Sequence, residues 1–78
     1  MPLINVRLIE GVFTPEQKQE MQRKLTDTMV AIEGENLRQV TVVIIDEVPS
    51  GQWAFGGKSF TTEDVKALIA GKRSEAAA

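Results

Sequence analysis

The chain opens Met1-Pro2-Leu3-Ile4-Asn5, and Pro2 offers its most distinctive chemistry. Methionine aminopeptidases remove an initiator Met when the next residue is small. A chain trimmed to Pro2 begins with a secondary amine, whereas every other residue type gives a primary one. A free α-amine titrates near ~7.7–8.0. An apolar pocket or a nearby cation lowers that value, because both disfavour the charged form. A neutral amine at physiological pH serves as a general base or attacks a carbonyl to give an iminium. The plainer alternative is that Pro2 marks the start of a strand, where a missing N–H costs nothing.

Other chemistries drop out on composition. The 78 residues include no Cys and no His, which removes disulfides, thiolate or imidazole metal sites and His-based triads. Gly56-Gly57 does not open a helix and reads as a turn, so it is no phosphate loop. The formal charge is −2 with acids and bases interspersed, and without a basic stripe nucleic acid is not an expected partner. The N-terminus lacks the basic-then-apolar order of a signal peptide. The longest apolar run, Val42 to Ile45, is too short to cross a membrane. The expectation is a soluble, cytoplasmic protein with no membrane partner and no cofactor.

The elements that must position Pro2 follow from periodicity. Leu3 to Ile9 reads as a strand with Pro2, Ile4, Val6 and Leu8 on one face and Asn5 and Arg7 on the other. Glu10-Gly11 ends it. Thr14-Pro15-Glu16-Gln17 is a helix start, with a capping Thr, Pro in the first turn and Gln completing a capping box. Met21, Leu25, Met29 and Ile32 form the apolar stripe of a helix running to about Ile32, and Gly34 stops it. Its other face, with Lys18, Glu20, Arg23, Lys24 and Asp27, is a solvated surface.

Val40 to Val48 reads as a second strand, without polar alternation. Strands buried on both faces look like this, parallel ones especially. Strand, helix and strand make a βαβ unit with a right-handed crossover. One helix covers one face of such a sheet, and the chain has little left for the other. A partner subunit is the economical answer for a domain this small. After a turn at Pro49-Ser50-Gly51, Gln52 to Phe55 and Lys58 to Phe60 pair across Gly56-Gly57. Thr61-Thr62-Glu63-Asp64 then starts a short helix that ends at Gly71. Residues 1–71 are read as one α/β (α+β) domain and residues 72–78 as a disordered C-terminal tail.

The order of these pieces carries a resemblance. Pro2, Glu10-Gly11, Glu16-Gln17-Lys18, Asp46-Glu47-Val48 and Trp53-Ala54-Phe55-Gly56-Gly57 together resemble the 4-oxalocrotonate tautomerase family of the tautomerase superfamily, over residues 2 to about 58. The helix from Thr61 resembles a C-terminal extension found in some relatives. The resemblance implies a β-α-β fold ending in a hairpin. It implies dimers that join their sheets into four strands, and a homohexamer built as a trimer of dimers. It also implies that Pro2, freed of Met1, is the catalytic base of a keto–enol isomerase acting on a small 2-oxo or unsaturated acid.

The departures are as informative. The family carries one arginine just after the strand-ending Glu-Gly, and here Val12 stands there. The family's second arginine, from a neighbouring subunit, falls on Val42, with Arg38 the nearest substitute, for which a solvated loop charge is the plainer role. The pocket-wall aromatic is kept as Trp53, for which packing at a subunit interface is the alternative role. The backbone amide of Ile9 lies where the family uses a donor to a substrate oxygen. Arg7, off the Pro2 face, reads as a surface or inter-subunit charge. An amine base in an apolar pocket also suits hydration, dehalogenation or decarboxylation, with Asp46 or Glu47 as water-activating carboxylate. A diverged, non-catalytic oligomeric binding protein is a further alternative.

Overall fold

The computed structural model describes residues 1–71; the expected tail at 72–78 lies outside the described residues. Strand β1 spans Leu3–Ile9, helix α1 Pro15–Glu33, a 3₁₀ helix Glu35–Val40 and strand β2 Val42–Val48. Strands β3, Trp53–Phe55, and β4, Lys58–Phe60, precede helix α2, Thr62–Ile69. The sheets are β1-β2 and β3-β4. The β-α-β unit with a closing hairpin and a short terminal helix is thus the architecture expected. No helix among the described residues is long and apolar enough to cross a membrane.

The chain groups into two compact units. The first holds Met1–Arg7 and Thr14–Asp46, the second Leu8–Phe13 and the described residues from Glu47 onward.

In the first unit, α1 starts as its sequence dictates. The Thr14 side chain accepts from the Gln17 amide at 3.1 Å, and the Gln17 side chain accepts from the Thr14 amide at 2.9 Å. Gly34, at φ 103, closes the helix by donating its amide to the Val30 carbonyl at 2.8 Å. The predicted apolar stripe holds as far as Met29 and then departs. Ile32 is 80% exposed, while Val30 is buried and Glu33 half-buried. At 3.6 residues per turn, the line through Leu25 and Met29 continues to residue 33, and Ile32 lies to its outer side.

Strand β2 begins at Val42, two residues later than expected, because Glu35–Val40 winds as a 3₁₀ turn. Arg38 ties back to Glu35 at the i,i+3 spacing that such a turn brings together. The burial expected on both faces of β2 is not reached within one protomer: no residue of the strand is fully buried, and Ile44 is exposed.

Among the described residues of the second unit, Ile9, Phe60 and Thr62 are buried. The hairpin pairs Trp53 with Phe60, Ala54 with Ser59 and Phe55 with Lys58. Gly56 and Gly57, at φ 56 and 85, supply the two consecutive positive φ values of a type I′ turn, which matches the twist of the flanking strands. Helix α2 is capped by Thr61 in a reciprocal box with Asp64.

Candidate active site

In the first unit, Pro2 sits at the head of β1. The alternation along the strand puts it on the face of Ile4 and Val6, and all three are half-buried, whereas Leu3, Asn5 and Arg7 are exposed. The Val42 amide donates to the Pro2 carbonyl at 3.1 Å. Pro2 is therefore held through its carbonyl, and its nitrogen lies ahead of the ladder, next to a Met1 that is 91% exposed. The opposite face is identified by Asn5, whose Nδ2 donates to Asp46 Oδ2 at 3.0 Å. Asp46 thus belongs to the face away from Pro2, a solvent-facing place for the first of the two carboxylates considered for activating water.

Arg38 lies in the same unit on the 3₁₀ helix. Its Nε donates to Glu35 Oε2 at 2.5 Å and its Nη1 to Asp27 Oδ1 at 2.7 Å. These bonds, Glu35 first and Asp27 second, raise the guanidinium pKa further above its ordinary value, so the side chain stays cationic. An open depression lies beside it, lined by Glu35, Asn36, Arg38 and Gln39.

In the second unit, β1 ends on Ile9, only 5% exposed. The next amide, Glu10, donates to the Val48 carbonyl at 2.9 Å. In a parallel ladder alternate residues of a strand turn toward the same neighbour. With Glu10 turned toward β2, the Ile9 N–H points the other way, out of the pairing. Trp53 is half-buried and shares a hairpin face with Phe55, Lys58 and Phe60 by the register. The rings of Phe55 and Phe60 stack edge-to-face, with centroids 5.3 Å apart and an 88° interplanar angle. Val12 and Phe13, following the Glu10-Gly11 turn, are half-buried.

Of the expected site residues, Pro2 and Arg38 fall in the first unit, Ile9 and Trp53 in the second. Two polar residues carried no expectation and are engaged with the strand end. Ser50 donates its amide to Glu10 Oε1 at 3.0 Å, and Thr62 donates its hydroxyl to the Glu10 carbonyl at 2.5 Å.

The chain and its β-α-β fold have counterparts among known proteins. The Tautomerase family model, described as "Tautomerase enzyme", matches residues 2–63. Probable tautomerase K2 of Dickeya dadantii (strain 3937) is 41% identical over 61 residues, covering 78% of this chain and 90% of that relative. A Probable tautomerase of Helicobacter pylori (strain ATCC 700392 / 26695) is 43% identical over 61 residues, covering 76% and 88%. A crystal structure of a 4-oxalocrotonate tautomerase homologue superposes with a TM-score of 0.67 at 38% identity, covering 82% of this chain and 95% of that one. That of DmpI from Helicobacter pylori gives a TM-score of 0.64 at 42% identity, covering 74% and 94%. The chain belongs to the tautomerase family, a family of isomerase enzymes. The family match ends at residue 63, the second residue of α2.

Proposed function

We propose that this protein is a cofactor-free keto–enol tautomerase of a small 2-oxo (enol) acid, with Pro2 as general base once Met1 is removed. The observation that carries the reading is the placement of Pro2, half-buried on the Ile4 and Val6 face and held by its carbonyl to Val42. Such a placement leaves the nitrogen as the one polar group of Pro2 outside the ladder. In the reaction, the Pro2 nitrogen takes the proton of the enol hydroxyl. The electron pair moves to form the ketone, and the prolinium returns a proton to the carbon at the other end of the enol system. No net proton is gained or lost.

The remaining roles follow from the same reading. The Ile9 amide, turned out of the β1-β2 pairing, donates to the oxygen on which charge develops. Trp53 lines the pocket and excludes water, which strengthens electrostatic contacts inside it. Arg38 takes the substrate carboxylate in a neighbouring subunit's pocket, exchanging one of its carboxylate partners for it. Exposed ion pairs are weak enough for this exchange. Val12 and Val42, apolar where family members carry arginines, suit a substrate with fewer carboxylates than the family's usual dicarboxylate. The assembly is a cytoplasmic homohexamer. Hydration or dehalogenation with Asp46 as the second group is less favoured, since Asp46 faces away from Pro2 and is bonded to Asn5.

The test is intact mass of the purified protein. A mass lacking one methionine residue fits the proposal. A chain retaining Met1 contradicts it, because the Pro2 nitrogen is then an amide and takes no proton.

A further inference from the structure

Thr62 is the buried polar side chain of the second unit, 8% exposed, and α2 does not need it. The helix already has its cap in Thr61, which accepts from the Asp64 amide while Asp64 accepts from the Thr61 amide. The Thr62 hydroxyl instead leaves the helix and donates to the Glu10 carbonyl, 52 residues away in sequence, at 2.5 Å. Its methyl packs on the same turn: a Cβ placed on Gly11, which has φ +78, would meet Thr62 Cγ2 at 3.2 Å. The Thr62 amide donates to Ser50 Oγ at 2.9 Å, and the Ser50 amide donates to Glu10 Oε1 at 3.0 Å. Glu10 is therefore gripped at three points, its amide by Val48, its carbonyl by Thr62 and its carboxylate by Ser50.

The segment fixed in this way holds two positions that matter for turnover. Ile9 immediately precedes Glu10, and Val12 immediately follows Gly11. We infer that Thr62 is a positioning residue: by locking the Glu10-Gly11 turn, its hydroxyl holds the Ile9 amide on target for the substrate oxygen. This rests on the tautomerase reading above, in which the Ile9 amide meets that oxygen. A donor displaced by a fraction of an ångström still binds substrate but stabilises the developing charge less well. The loss therefore appears in kcat and not in KM.

The two branches of Thr62 give a matched pair of variants. Thr62→Val keeps the shape against Gly11 and removes the hydroxyl, whereas Thr62→Ser keeps the hydroxyl and removes the methyl. With phenylpyruvate enol as probe, Thr62→Val is expected to lose about tenfold in kcat with KM within about twofold, less than the ~100-fold of a fully removed donor. Thr62→Ser should stay within about threefold of wild type in kcat, whatever its thermal midpoint. Wild-type kcat in Thr62→Val, or an equal loss in both variants, overturns the inference. If Thr62→Val does not fold, Thr62→Ala set against Thr62→Ser carries the test, since these two differ by the hydroxyl alone: a kcat loss in Thr62→Ala beyond that in Thr62→Ser supports the role, and equal kcat in the two overturns it. Pro2→Ala in the same assay separates the two claims. Loss of turnover there with normal turnover in Thr62→Val overturns only the positioning role, whereas normal turnover in both overturns the base as well.

Discussion

The Val42 amide donates to the Pro2 carbonyl at 3.1 Å. This bond registers the head of β1 against the head of β2, and it leaves the Pro2 nitrogen outside the ladder. A proline loses nothing by heading the strand, since it has no N–H to offer the ladder. The same position that is neutral for folding is thus available for chemistry.

Removing Arg38 should separate binding from chemistry. Arg38→Ala is expected to raise KM for a carboxylate substrate roughly tenfold, the scale of one hydrogen bond to a charged group, with kcat within about twofold. The wild-type KM should rise with added salt, as exposed charges are screened. An unchanged KM would leave Arg38 as a surface partner of Asp27 and Glu35 alone.

Two glycines should differ in what a methyl costs. Both Gly11 and Gly57 have positive φ, but only at Gly11 does the new Cβ meet a neighbour, Thr62 Cγ2 at 3.2 Å. Gly57→Ala should cost about 1–2 kcal/mol from backbone strain. Gly11→Ala should cost measurably more in the same urea titration, and equal costs would mean that the Gly11-Thr62 packing yields freely.

The sequence made strand β1, the start of α1, the glycine hairpin and the start of α2 legible because each depends on local chemistry: alternation, a capping box, positive φ, a second capping box. The 3₁₀ turn at Glu35–Val40 was hidden because Val40, Thr41 and Val42 are all β-branched and read as strand. The turn is closed by i,i+3 backbone bonds that the residue types do not announce, from the Leu37 amide to the Gly34 carbonyl and from the Thr41 amide to the Arg38 carbonyl, each at 3.2 Å. Ile32 was misplaced for a geometric reason, since i+3 and i+4 look equally good on a short stripe. The place of Pro2 at the head of β1 was legible from its type and position. Thr62 and Ser50 were not, since their roles depend on Glu10, a residue 40 or more positions away.

Assembly should depend on the sheet face opposite Pro2. Leu3 and Ile44 are exposed there, on the side marked by the Asn5–Asp46 bond. Sedimentation velocity at micromolar concentration is expected to give a species several times the 8.6 kDa chain mass. Ile44→Lys should shift it to smaller species by placing a charge in a buried contact. A wild-type monomer would contradict the hexamer, and an unshifted Ile44→Lys would place the interface elsewhere.

The central claim is that the Pro2 nitrogen moves the proton, and ketonisation of phenylpyruvate enol by wild type and Pro2→Ala tests it most directly. A general base contributes on the order of 10²- to 10⁴-fold, so Pro2→Ala is predicted to lose at least about 100-fold in kcat/KM while keeping the wild-type oligomeric state. Equal rates in the two proteins would contradict the account and favour a non-catalytic oligomeric binding protein on the same fold.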